Sequence, residues 1–114
     1  MNTIEETFEQ IKRDIASNNI VLYMKGTKSF PQCGFSSLVV SVLKKMGANF
    51  KDINILESDL LRQAIKEYSN WPTIPQLYVK GEFIGGSDII KEMYETGELE
   101  NLFSSKNIPY EKQK

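Results

Sequence analysis

At 114 residues, 40% of them hydrophobic and 25% charged, the chain is long enough to bury one core and too short for a second domain of ordinary size. Its 14 basic and 15 acidic side chains are spread along the sequence and leave a formal net charge of −1, without the basic field that draws nucleic acid or an anionic membrane. A single cysteine and the absence of histidine exclude an internal disulfide, Ser-His and Cys-His catalytic pairs, and His-ligated zinc.

Thr3-x-x-Glu6 has the form of a capping box, and Ile4, Phe8, Ile11 and Ile15 follow on one stripe as far as Ser17-Asn18-Asn19, which predicts an amphipathic helix. The N-terminus lacks the basic and apolar regions of a signal peptide, and no run of about 18 apolar residues occurs anywhere, so the expected location is a reducing cytoplasm. Ile20-Val21-Leu22-Tyr23-Met24 is apolar on both faces, as in a central strand covered by helices. Next comes the stretch 25–36, Lys-Gly-Thr-Lys-Ser-Phe-Pro-Gln-Cys-Gly-Phe-Ser. Within and beyond it, Phe35, Leu38, Val39, Val42, Leu43 and Met46 recur at helical spacing, with Gly47 as C-cap.

Cys33 is thereby placed at a loop-to-helix junction. The unpaired N–H groups of a first helical turn and the positive end of the macrodipole favour a thiolate there, and Lys25 and Lys28 add positive charge. Ser36 stands where a Cys-x-x-Cys motif has its second thiol; it can donate a hydrogen bond but cannot resolve a mixed disulfide, so a partner for Cys33 must come from outside the chain. A lone cysteine is commonly just a small buried hydrophobe. Here it precedes the apolar stripe, where burial gains little.

Residues 49–54 read as a second strand. Ser58-Asp59 caps a helix carrying Leu61, Ala64, Ile65 and Tyr68, and the β-α-β-α order implies a parallel strand pair with a right-handed crossover. Asn70-Trp71-Pro72-Thr73-Ile74-Pro75 is a rigid connector. Strands at 76–79 and 82–84 flank Lys80-Gly81, a two-residue hairpin turn. Ser87 is the expected N-cap of a helix with Ile89, Ile90, Met93 and Tyr94 on its apolar side; Gly97 separates it from a last helix holding Leu99, Leu102 and Phe103. From residue 104 the periodicity ends, which divides the chain into a domain at 1–103 and a polar, frayed tail at 104–114.

This order of elements resembles the thioredoxin-like fold, an α/β arrangement with a central mixed four-stranded sheet flanked by helices. Lys25 followed by Pro31-x-Cys33-Gly34-Phe35-Ser36, then Trp71-Pro72-Thr73-Ile74-Pro75-Gln76, then Gly85-Gly86-Ser87-Asp88, closely resembles the monothiol glutaredoxins of the Cys-Gly-Phe-Ser class in their short single-domain form. The resemblance implies a glutathione site beside Cys33. Lys25 and Arg62 would hold the glycine carboxylate, and the backbone of Ile74, before a cis-proline at Pro75, would pair with the peptide. Ser87, through its N–H at a helix start, and Asp88 would receive the γ-glutamyl end. Some relatives carry a cysteine where this chain has Ser87, so no intramolecular disulfide is available here. Taken singly, Lys25 and Arg62 are ordinary surface charges, Asp88 a helix-start acid and Pro75 a turn residue; the functional reading rests on their joint order around one cysteine.

The resemblance implies glutathione-dependent binding and transfer of a 2Fe-2S cluster, with Cys33 as the protein ligand. A cluster bridging a homodimer would have two cysteines and two glutathiones as its four ligands. BolA-like proteins and iron–sulfur acceptor proteins are the implied partners. The alternative is a monothiol oxidoreductase acting through Cys33 on glutathione mixed disulfides, at most a weak enzyme beside the carrier role. A third reading is a redox-sensing or scaffold module whose cysteine is modified without turnover.

Overall fold

The computed structural model describes residues 3–111. The segment with most to gain from leaving water is Ile20–Met24, and it forms β1 at the interior of the sheet with all five side chains buried. At roughly 1.5 to 3 kcal/mol per large apolar side chain, burial of this strand contributes substantially to the driving force for folding. Successive residues point to opposite faces. Ile20, Leu22 and Met24 enter one core with Val39, Leu43, Leu77, Ile90 and Phe103, while Val21 and Tyr23 enter a second with Ile11, Ile15, Ala64, Ile65 and Tyr78.

Around β1 the chain runs α1 (Ile4–Ser17), β1, α2 (Gly34–Lys45), β2 (Lys51–Asn54), a single 3-10 turn (Ile55–Glu57), α3 (Asp59–Ser69), β3 (Gln76–Val79), β4 (Glu82–Gly85), α4 (Ser87–Thr96) and α5 (Glu98–Ser105). The sheet order is β2-β1-β3-β4. β2 lies parallel to β1, whereas β3 is antiparallel to both β1 and β4. Helices α1 and α3 cover one face, and α2, α4 and α5 the other. This is the expected thioredoxin-like α/β fold with a mixed four-stranded sheet.

Local signals act as the sequence implies. The Thr3 hydroxyl accepts from Glu6 N at 3.1 Å while the Glu6 carboxylate accepts from Thr3 N at 3.2 Å, and Ser58 Oγ accepts from Leu61 N at 3.1 Å. Lys80 and Gly81 both have positive φ, 51° and 82°, the geometry of a tight hairpin turn.

Four expectations are corrected. The second strand begins at Lys51 rather than at residue 49. Ser87 is the first residue of α4 and Gly86 is its N-cap. Phe35 does not join the core stripe: one turn ahead of Val39 it projects outward and is 62% exposed. The chain is not frayed from residue 104. Helix α5 extends to Ser105, Ile108 is buried in the core beneath α2, Tyr110 packs edge-on against Phe103, and Glu111 N donates to Met46 O. Aperiodic sequence hid this because the docking rests on two apolar residues spaced for no regular element. Residues 1–2, within the predicted domain, and 112–114 of the predicted tail lie outside the described residues.

Candidate functional site

The loop between β1 and α2 folds back on itself. Gly26 pairs with Pro31, Gln32 N donates to Lys25 O at 2.8 Å, and the turn inside is closed by mutual bonds between Thr27 and Phe30. Gly26 has φ +90°, and a Cβ there would lie 2.5 Å from Phe30 O, so only glycine fits. Side chains from elsewhere hold the loop: Asn54 Oδ1 accepts from Gly26 N at 2.9 Å, Asp52 Oδ2 from Lys28 N at 2.8 Å, and Ser36 Oγ from Lys25 N at 3.1 Å. Asn54 and Asp52 were read only as strand residues. Nothing in one sequence marks a polar residue at a strand end as an anchor for a loop some 25 residues away.

The returning chain delivers Cys33 to the N-cap of α2, partly exposed and with extended φ and ψ. As a neutral thiol it makes no capping hydrogen bond. Its ionisation is nonetheless drawn below the ordinary thiol value, chiefly by the main-chain N–H of Ser36 at the open helix end. Burial opposes this, and the Phe35 N–H, the Lys25 charge and the Ser36 hydroxyl add to it. Ser36 is fully buried, so its hydroxyl is fixed between the Lys25 N–H that it accepts and the sulfur to which it can donate.

Beside Cys33 lies a groove of about 480 Å³ whose lining includes Lys25, Arg62, Ile74, Ser87 and Asp88. Every site residue expected from the sequence thus borders one concavity, drawn from the β1–α2 loop, α3, the connector before β3, and α4. The Ile74–Pro75 peptide is cis. Behind it Gln76, fully buried, holds the connector to the sheet: its Nε2 donates to Trp71 O at 3.1 Å and Thr73 O at 3.2 Å, and its Oε1 accepts from the Tyr78 hydroxyl at 3.3 Å.

The groove also contains residues that sequence reasoning missed, namely Phe35, Lys66, Pro72 and Thr73. Lys66 was discoverable, because it follows Arg62 by four residues and so shares its helix face. Among the described residues none of Lys25, Arg62, Lys66 and Asp88 forms an ion pair. Three cations and one carboxylate therefore face the groove with their charges available to a ligand. Among the described residues no three His, Cys, Asp or Glu side chains gather as a metal site. No helix among the described residues is long and apolar enough to cross a membrane.

Comparison with known proteins agrees with this fold. Residues 20–84 match the family model described as Glutaredoxin. The chain is 54% identical over 97 residues to the chloroplastic monothiol glutaredoxin-S14 of Arabidopsis thaliana, covering 85% of this chain and 54% of that protein, so it spans about half of that relative's length. It is 53% identical over 92 residues to the probable monothiol glutaredoxin 2 of Rickettsia typhi, covering 81% of this chain and 83% of that one. The fold matches a buckwheat glutaredoxin crystallised as a glutathione complex, with a TM-score of 0.79 at 22% identity over 90% of this chain and 91% of that chain.

Proposed function

Because the chain belongs to the glutaredoxin family, in its monothiol class, we propose that it binds glutathione in the Cys33 groove and carries a 2Fe-2S cluster between proteins in a reducing compartment such as the cytoplasm. The observation that carries this reading is one acidified thiol beside a groove with four unpaired charged side chains. Glutathione offers two carboxylates, one ammonium and a thiol. Lys25 and Arg62, with Lys66 beside them, take its glycine carboxylate. Ile74 pairs with its main chain, the Ser87 N–H at the start of α4 takes the γ-glutamyl carboxylate, and Asp88 takes the ammonium. The glutathione complex of the buckwheat protein supports the choice of ligand.

The cluster is cargo. It needs four ligands, soft thiolates suit it best, and this sequence supplies one cysteine and no histidine. Two chains and two glutathiones complete the set, which makes the loaded form a homodimer bridged by the cluster. Iron–sulfur acceptor proteins follow as partners, and a BolA-like protein is a candidate to replace one subunit. What the chain itself contributes is a thiol already biased toward the anion a metal requires, and charges that hold the external thiol beside it.

The depressed ionisation of Cys33 also favours a second reading, thiol exchange on glutathionylated proteins. The Cys33 thiolate attacks the glutathione sulfur of a mixed disulfide, and the protein leaves as a thiolate that takes a proton from water. Glutathione thiolate then attacks the Cys33–glutathione disulfide, releasing oxidised glutathione and restoring Cys33.

Anaerobic reconstitution with iron, sulfide and glutathione, read by absorption and native mass spectrometry, separates the two. The expected product is a coloured dimer with one cluster and two glutathiones. A colourless product active in a glutathione-coupled disulfide assay selects the exchange reading, and a loaded monomer, or a dimer that keeps its cluster with every free thiol removed, overturns the carrier reading. Arg62→Glu and Asp88→Lys lie on the surface and should weaken glutathione-dependent loading about ten- to a hundredfold without loss of fold. Unchanged loading in both would show that the groove is not the glutathione site.

A further inference from the structure

The near-neutral total conceals a segregation of charge. Residues 25–51 contain five lysines, Lys25, Lys28, Lys44, Lys45 and Lys51, and no aspartate or glutamate. The other nine basic side chains share the rest of the sequence with all 15 carboxylates, leaving that part six negative. The acid-free stretch is the one that presents Cys33.

In the fold, part of this stretch closes around a second groove of about 310 Å³, between the 25–32 loop and the outer face of α2, that shares no lining residue with the Cys33 groove. Lys28, Lys44 and Lys45 border it, and Pro31, Val40 and Ser41 are among its walls. Two of these lysines are positioned without being neutralised. Lys28 Nζ donates to Phe50 O at 2.8 Å and lies over the Phe50 ring at 4.8 Å, and Lys44 Nζ donates to Lys28 O at 3.1 Å; neither forms an ion pair among the described residues. The Asp52 carboxylate accepts the Lys28 main-chain N–H. On the same loop Phe30 is 75% exposed, and Phe35, in the lining of the Cys33 groove, is 62% exposed. A pinned cationic rim over polar and small apolar walls, beside an exposed aromatic side chain, suits electrostatic docking of an oppositely charged protein surface.

We propose that this second groove docks the protein that exchanges cargo with Cys33, and that the partner presents an acidic segment to it. The proposal rests on the carrier reading only for the nature of the cargo. Charge complementarity selects the partner: a compact acidic surface meets the lysines within a screening length of about 8 to 10 Å, whereas a nucleic acid or an anionic membrane extends past the patch onto the negatively charged remainder.

The test is a titration of the isotope-labelled full chain, without cluster, with an acidic apo-ferredoxin of the 2Fe-2S type, followed by amide shifts at low and high salt. Binding should move amides at 28–30 and 40–45 and weaken steeply with salt. Affinity should fall about tenfold in Lys28→Gln/Lys44→Glu. Lys44→Glu alone, on an exposed helix face, should show part of the loss and keeps the result readable if the Lys28 change disturbs the loop. Lys80→Glu, on the β3–β4 turn, is the matched control and should leave binding as it is. The proposal is overturned if the wild-type chain does not bind, if the lysine variants bind as wild type does, or if single-stranded DNA or phosphatidylserine vesicles bind with the same lysine dependence. If docking follows the lysines while no cluster can be loaded, the docking surface stands and the carrier reading falls.

Discussion

Ser36 does two jobs with one hydroxyl, accepting the Lys25 N–H and facing the Cys33 sulfur, and the two are separable by experiment. In Ser36→Ala the thiolate absorbance of Cys33 should titrate at a higher pH than in wild type. The midpoint should still lie below the free-cysteine value of about 8.5, because the Ser36 and Phe35 main-chain N–H groups remain. A midpoint at or above that value would mean that the hydroxyl, and not the helix end, sets the acidity. The variant should also lose about 1 kcal/mol of stability through the orphaned Lys25 N–H, measurable by denaturant unfolding. At this scale much was legible beforehand: a cysteine at a loop-to-helix junction and a serine three residues later state their chemistry in sequence. Gln76 did not. Its hydrogen bonds to two connector carbonyls exist only once strand β3 and the cis-proline turn face each other, and a glutamine in a strand carries no mark of that.

Among the elements, α2 is held at both ends, its start through Ser36 on Lys25 and its end through the 106–111 segment that lies across Met46 and Gly47. Ile108 is the apolar peg of that segment, 5% exposed in the α2–α5 core. Ile108→Ala should therefore cost about 2 to 4 kcal/mol, and calorimetry should show a clear fall in Tm. A change under about 0.5 kcal/mol would mean that the segment does not support the fold. Helices and strands with caps, stripes or hairpin turns were readable from the sequence, as Thr3, Ser58 and Lys80-Gly81 show. Docked but irregular chain was not, since one isoleucine and one tyrosine generate no period. Phe35 failed for a related reason: it falls at core spacing with Val39 and Val42, yet in the first turn of α2 it lines the Cys33 groove and stays exposed.

For the molecule as a whole, the core on the α1–α3 side holds two phenols away from water. Burial pushes Tyr78 up to about 12 and Tyr23 higher still. A raised folded value means that the stabilising contribution is complete below the unfolded tyrosine value near 10 and is lost as pH rises through about 12. Stability should therefore fall across that window, with tyrosinate absorbance from these residues appearing together with unfolding; phenolate absorbance from all five tyrosines at pH 10.5 in a still-folded chain would contradict it. The fold class was visible at this scale because α/β order and a doubly apolar β1 admit few arrangements, whereas the charge segregation was lost in a sum near zero. The Cys33 groove draws its walls from stretches near residues 25–36, 62–66, 72–75 and 87–88. During synthesis the cysteine leaves the ribosome long before the last of these, so a growing chain presents a thiol with no binding site around it. The groove beside the sulfur closes only after residues 87–88 at the start of α4 have emerged, so a ligand that spans it can bind only to a chain made at least that far.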